Sequence, residues 1–249
     1  LFIKQKNKGA LGDDHQVDDV DDDVDLEVDA GSREFSYDLH RNATCALVMY
    51  DRATNWLQCY PKGSKRKVHV TEAYNSWTKP GEKVKSYYCD NGGELVSGAK
   101  DKGWRCATST PGMPQTNGLS ERGVGKTKDG GISALTQAGL DRLWWSYAVQ
   151  YYCLAHNIAE VDGNSAWSRR HKSGSFAGLR IPFGAMVDFM PQPDTKILAF
   201  GTKTIRGVFL GWHLLPGGLW SGDYLVADLE PLLKDHEAPP HKVKVHRIK

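Results

Sequence analysis

Apolar positions in this chain gather into short runs that turn-forming residues cut apart. Residues 45–50 (CALVMY) form an apolar run that stops at Asp51. After the link DRATN comes a second, residues 56–60 (WLQCY). Two β-rich runs joined by turn formers predict a hairpin. Residues 70–77 predict a short helix, ended by Lys79-Pro80-Gly81, and residues 84–89 (VKSYYC) a third strand, broken by Asp90-Asn91-Gly92-Gly93. Residues 94–102 can hold about two helical turns. Residues 105–109 are again β-like and close on Pro111-Gly112-Met113-Pro114. Residues 118–140 occupy a helical place in the pattern, yet they contain Gly123, Gly125, Gly130 and Gly131. Each interior glycine costs up to ~1 kcal/mol relative to alanine, so the expectation is a weak or broken helix. Residues 141–157 (DRLWWSYAVQYYCLAHN) carry the clearest helical rhythm. Asp141 is a natural cap, and Leu143, Trp144, Tyr147, Ala148, Tyr151 and Tyr152 share one face, predicted to be core. Beyond Pro182 the pattern shifts to short strands at 197–200, 207–212, 224–227 and 243–248, which predicts a small antiparallel β unit.

Composition narrows the class. Of 249 residues, 40% are apolar and 25% charged, as in an ordinary globular protein. No apolar run approaches the ~18 residues of a membrane helix, and no secretory signal opens the chain. The chain starts at Leu1, so an internal piece of a longer product or a gene fragment is expected. Five cysteines without a CxxC pair argue against a disulfide framework and against zinc. Cys45, Cys59, Cys89, Cys106 and Cys153 are expected to be reduced and mostly buried. Net charge is only +2, but its distribution is uneven. Residues 13–29 are strongly acidic, whereas 62–67 (KGSKRK), 169–172 (RRHK) and the last eight residues are basic. Such runs are usually solvated surface, and three of them also leave room for a phosphate-binding face. The acidic stretch has too few large apolar residues for a core and reads as a spacer. The organisation expected is an acidic segment at 1–40 that also carries the first strand, an α/β core at 41–175, and a β-rich segment at 176–249.

Two carboxylates stand out by position. Asp90 lies where an apolar strand runs into a glycine-rich turn, the edge at which α/β sheets present polar groups to ligands. Glu121 follows the loop PGMPQTNGLS at a helix start. Oxygen donors so placed suit a hard divalent cation. Equally, an Asp in such a turn serves turn geometry, and a Glu at a helix start complements the helix dipole. Spacing alone leaves both readings open.

The local wording adds a resemblance. YYCDNGGEL followed by STPGMPQTNGLSER resembles two blocks of copia-type retrotransposon integrases: a strand ending in DNGGEF, then S-x-P-x-x-P-Q-x-N-G-v-x-E-R. ALVMYDRATNWLQCYP, DRLWWSYAVQYYCLAHN, PFGAMVDFMP and RGVFLGWHL resemble the family's hairpin, a core helix and the post-core segment. The resemblance implies an RNase H-like α/β fold: a five-strand mixed sheet flanked by helices, with a small C-terminal β-rich unit. It implies an Asp-Asp-Glu triad holding two Mg²⁺ (or Mn²⁺) ions, with Asp90 second and Glu121 third. Thirty residues separate them, slightly fewer than in many retroviral members. Residues 12–20 (GDDHQVDDV) are similar to a block in some members that places Asp19 as first ligand. Asp38 is the rival by distance from the hairpin, and Asp18 is a third candidate. Gln115 and Asn117 would touch the DNA end, or only satisfy the loop backbone. Lys126 and Lys128 would meet DNA phosphate, or only water.

The implied activity is 3′-end processing of element DNA and strand transfer into target DNA, by a homo-oligomer working in the nucleus after cytoplasmic synthesis, with no membrane partner. A second reading is a decayed or co-opted copy that binds DNA and joins nothing; the glycine-rich stretch and the acidic insertion favour it. A third, a different nuclease of the same fold, sits poorly with the PQTNG loop. The expectations to be tested are that Asp90 and Glu121 lie close enough to share an ion, that residues 141–157 are one helix, that 197–248 stand apart from the catalytic sheet, and that Asp19 ends beside Asp90.

Overall fold

A computed structural model describes the backbone of residues 2–4, and residues 43–111, 113, 117–191 and 202–249 in full. The two apolar runs pair as expected. After β1 (Phe2–Lys4), β2 (Cys45–Asp51) and β3 (Trp56–Lys62) make an antiparallel hairpin in register from Cys45↔Lys62 to Asp51↔Trp56. Asp51 fastens the turn by accepting from the Ala53 N–H at 3.0 Å, and Asn55 adopts φ 62°, a left-handed conformation that Asn tolerates. β1 lies antiparallel on the other side of β2. Then follow α1 (Lys67–Trp77), β4 (Tyr87–Cys89), α2 (Gly93–Asp101) and β5 (Cys106–Thr108), with β4 and β5 parallel. The fold is mixed α/β. Among the described residues these five strands form two sheets, β1-β2-β3 and β4-β5, rather than the expected single one. β1 contributes three residues, and its outer edge pairs with no other described strand.

α3 (Gly118–Ala138) corrects the sequence reading. It is continuous over 21 residues and ends on Gly139 at φ 65°. Its glycines are contact points. A Cβ on Gly130 would sit 2.2 Å from the Tyr152 ring, and one on Gly131 would sit 2.8 Å from a Val149 methyl. Both partners lie on α4 (Trp145–Ile158), so the helix gives up intrinsic propensity for close approach to its neighbour.

α4 is the central helix, packed against α3, β3 and β7 (Ile205–Leu215). The expected single helix over 141–157 is instead a 3₁₀ turn, Arg142–Trp144, running into α4. Asp141 caps that turn, accepting from the Leu143 N–H at 2.8 Å. Trp144, Tyr147 and Ala148 are buried as predicted, Tyr151 and Tyr152 are half-buried, and Leu143 is exposed. Burial extends beyond one stripe to Val149, Cys153, Leu154 and Asn157, because elements cover several sides of α4.

After α5 (Ala166–His171) come β6 (Met186–Phe189), β7, β8 (Leu219–Asp228), α6 (Leu229–Lys234) and β9 (Val245–Ile248). The strands form an antiparallel sheet in the order β6-β7-β8-β9, hydrogen-bonded to neither of the other sheets. It begins earlier than the pattern suggested, and the strand expected at 197–200 lies outside the described residues. Phe209, Trp212 and Val226 pack into the same core as Trp56 and Leu154, so apolar burial continues across the sheets. Near the C-terminus Val243 is buried, Val245 and Ile248 are half-buried, and Lys242, Lys244 and Arg247 face out. His246 breaks the simple alternation: it is buried, its Nε2 lying 2.8 Å from Asp228 Oδ1.

Each basic cluster has at least one member engaged by the fold. Lys62 is buried and pairs with Glu72 at 2.7 Å. Arg170 donates to the Trp77 carbonyl at 2.6 Å, and its guanidinium lies 4.6 Å from the Trp77 ring centre and 5.4 Å from that of Trp56. Arg247 pairs with Asp223. Beside Arg170, His171 packs against Trp56 and Trp167 with both ring nitrogens buried and lacking a good hydrogen bond. Burial, then the charges of Lys79 and Arg170, push its pKa down to about 4. All five cysteines are free; four are buried and Cys106 is half-exposed. No helix among the described residues is long and apolar enough to cross a membrane.

Two outcomes follow. Gly130→Ala should destabilise the fold by roughly 1–3 kcal/mol through overpacking against Tyr152, whereas Gly125→Ala, with open space around it, should stabilise by up to ~1 kcal/mol. Urea unfolding of both variants measures this, and equal effects would show that the glycines are not contact points. For His171 the unfolded ring takes up a proton near pH 6.5, while the folded ring stays neutral down to about 4. Its contribution to stability is therefore full above pH 6.5 and is lost as pH falls from 6.5 towards 4. His171→Phe should flatten the pH dependence of the melting temperature across that window; an unchanged slope would contradict the assignment.

Candidate functional site

Asp90 is the residue after β4, where the buried Cys89 ends the strand. Its carboxylate is half-buried, and Oδ1 accepts from the Gly92 N–H at 3.2 Å, a turn of the Asx type. Asn91 Nδ2 donates to the Ser109 carbonyl at 3.0 Å, which ties the turn to the chain leaving β5. Space beside Gly92 is tight: an added Cβ would lie 3.2 Å from Asp90 Oδ1 and 3.1 Å from Glu94 Oε1. The Asp90 and Glu94 carboxylates thus flank one glycine. Glu94 was passed over in the sequence, although it belongs to the DNGGEL wording that drew attention to Asp90.

Glu121 lies in the first turn of α3 and is exposed. Asn117 sits at the N-cap position without a side-chain cap bond, and its Oδ1 is buried and unpartnered among the described residues. Gln115, Asp18, Asp19 and Asp38 lie outside the described residues. Among those described, no group of three or more His, Cys, Asp and Glu side chains is arranged to hold a metal ion.

Helical geometry separates the two lysines. At about 100° per residue, Lys128 is some 20° short of two full turns from Glu121 and shares its face. Lys126 is turned away by about 140°. Its Nζ lies 3.4 Å from His156 Nε2, in a groove of about 180 Å³ between α3 and the β2–β3 turn. A larger cavity, about 280 Å³, lies between β3 and β7, and none of its lining residues belongs to the Asp90 turn or to α3.

No family model matches the chain. It is 30% identical over 117 residues to the retrovirus-related Pol polyprotein from transposon RE1 of Arabidopsis thaliana, covering 44% of this chain and 8% of that protein. It is 29% identical over 143 residues to the retrovirus-related Pol polyprotein from transposon TNT 1-94 of Nicotiana tabacum, covering 53% and 10%. The matches thus span about a tenth or less of these relatives. Among solved structures, the catalytic core domain of BIV integrase is 16% identical, with 50% of this chain and 83% of that one covered and a TM-score of 0.38. A chain of a simian T-cell lymphotropic virus intasome in complex with the PP2A regulatory subunit B56 gamma is 14% identical, with 73% and 65% covered and a TM-score of 0.41. The two polyprotein alignments agree with the DNGGEL and PQTNG wording: this chain is similar to a segment of copia-type retrotransposon Pol polyproteins.

Proposed function

We propose that the chain is the core of a retrotransposon integrase with an RNase H-like arrangement, performing metal-dependent 3′-end processing and strand transfer of element DNA into target DNA. The observation that carries the reading is the Asp90 turn. It sits at the end of one of two parallel strands, is fixed by Gly92 and Asn91, and is followed in sequence by a long continuous helix with Glu121 in its first turn. The donor set fits a hard cation: Asp90 uses one oxygen on the Gly92 N–H, and Glu121 is open to solvent. Asp90, Glu121 and a third carboxylate, with Asp19 preferred over Asp38 and Asp18, would hold Mg²⁺ or Mn²⁺. When bound, the ions supply activation of the attacking oxygen and stabilisation of the leaving one. The chain's own share would be to hold the carboxylates in place and to orient DNA, through Lys128 on the Glu121 face and through Gln115, Asn117 and Lys126. Phosphate contacts would give affinity with little base readout. A homo-oligomer acting in the nucleus after cytoplasmic synthesis belongs to the same proposal.

A second reading has its own observation. Among the described residues, the strand on the side of β2 away from β3 is Phe2–Lys4, which contains no carboxylate. If that strand fills the place of the family's first strand, the triad lacks its first member, and the chain is a decayed or co-opted DNA binder.

Strand transfer on an element-end DNA duplex, with Mg²⁺ or Mn²⁺, separates the two. In an active chain, Asp90→Asn and Glu121→Gln should each cut product by more than about a hundredfold, since even outer-shell partners of metal ligands are worth 10–100-fold. Asp19→Asn should do the same and Asp38→Asn should not. Equal product from the parent and Asp90→Asn would end the metal-site reading. Duplex binding without product in the parent would favour the inert one.

A further inference from the structure

We propose that the groove between the β2–β3 turn and the flank of α3 is a second nucleic-acid subsite, one that takes a single phosphodiester group of a DNA strand running beside the candidate catalytic face. It rests on the reading of the chain as a DNA-binding protein and adds to it a site turned away from Glu121.

The lining comes from three elements: Tyr50 and Asn55 of the hairpin, Leu119, Arg122 and Lys126 of α3, and His156 of α4. Its charged side chains are both cationic, and no carboxylate lines it. Arg122 Nε donates to the Gly118 carbonyl at 3.2 Å, a bond that takes one N–H of a guanidinium with several. Burial, then the Lys126 charge, holds the His156 pKa below its usual value, while the Asn55 backbone hydrogen-bonds the ring. At neutral pH His156 is therefore uncharged and accepts from Lys126, so the ammonium is steadied over the groove with donors to spare. Arg169 adds a third cation at the rim, its Nε donating to the Thr54 carbonyl at 2.9 Å.

Apolar surface flanks these cations. Tyr50 is 41% exposed, with its hydroxyl donating to Asn55 Oδ1 at 2.7 Å, and Leu119 is 44% exposed. A nucleotide matches both features, offering a phosphate to Arg122 and Lys126 and the apolar face of its sugar to Tyr50. A carboxylate of an acidic peptide would satisfy the cations and leave the ring uncovered. At about 180 Å³ the groove admits one such group, so a duplex would lie across it rather than enter.

The test is binding of a fluorescently labelled DNA duplex by the full chain, read as anisotropy over a KCl series. Each neutralised phosphate contributes a slope of about −0.9 in log K against log salt. The double variant Arg122→Gln/Lys126→Gln should lose about one unit of slope and bind roughly tenfold more weakly at the lower salt concentrations, with the parent's melting temperature, since both side chains are exposed. Tyr50→Leu should weaken binding at unchanged slope, because contact of the ring with the strand's sugars releases no counterions. Lys234→Gln, on α6, should match the parent. A double variant with the parent's slope and affinity would overturn the subsite and leave the DNA-binding reading standing. A parent that shows no salt-dependent duplex binding would overturn both. Displacement of the duplex by a polyglutamate peptide as effectively as by unlabelled DNA of equal charge would mark the groove as an acidic-protein surface and overturn the assignment to nucleic acid.

Discussion

The bond between one amide and one strand edge anchors this molecule. Among the described residues β3 is an outer strand of its sheet, so this edge presents backbone donors and acceptors that burial would otherwise leave unpaired. Asn157, fully inside the protein on α4, accepts from the Leu57 N–H at 2.9 Å and donates to the Leu57 carbonyl at 2.6 Å. About two turns earlier on the helix, Gln150 reaches the Cys59 carbonyl at 3.4 Å. Pro61 has no N–H to satisfy. The helix therefore does for β3 what another strand would do, and only then can a helix so apolar lie against a sheet edge. An unpaired buried amide costs about 1–3 kcal/mol, which explains why polar residues interrupt the apolar face of α4 where they do.

With α4 fixed, its other sides set the remaining distances. Gly130 and Gly131 let α3 approach it through Tyr152 and Val149, and Tyr151 stacks on Trp212 of β7 at 5.3 Å between ring centres. The C-terminal sheet is therefore joined to the first half by side-chain packing instead of by strand pairing. The same docking aligns α3, and with it the angular positions of Glu121, Lys126 and Lys128. The residues of α3 proposed to meet metal and DNA are thus oriented by the packing of that helix on α4.

Much of this was legible in the sequence, for reasons that can be named. The hairpin was readable because apolar runs and turn formers agree there, and the β4 end because Asp90-Asn91-Gly92-Gly93 has one local solution. The core of α4 was readable from Trp144, Tyr147 and Ala148, whose spacing is helical. The continuity of α3 was not, since propensity counts the penalty of Gly130 and Gly131 and cannot see Tyr152 and Val149, which repay it through packing. The inward turn of Arg170 was hidden similarly: RRHK reads as surface charge until Trp56 and Trp77 close around it. In the candidate site, motif wording drew out Asp90 and Glu121, while Glu94 became visible only when Gly92 was seen with a carboxylate on either side.

The charge pattern gains a physical meaning from this sorting. Lys62, Arg170 and Arg247, from each of the three basic clusters, are bound to carboxylates, carbonyls or rings, so they hold the fold and have little left to offer a phosphate. Arg66, Arg169, Lys172, Lys242 and Lys244 of the same clusters stay exposed; further exposed cations lie outside the runs, Lys128 on the Glu121 face and Arg122 and Lys126 on the flank. The latter are scattered singles in the sequence, without the density that marks a basic patch. A helix gathers them, because residues 122 and 126 fall one turn apart, while 128 follows Glu121 round to its own side. The nucleic-acid surface proposed for α3 is therefore written in helical spacing, where no dense run of lysine and arginine announces it.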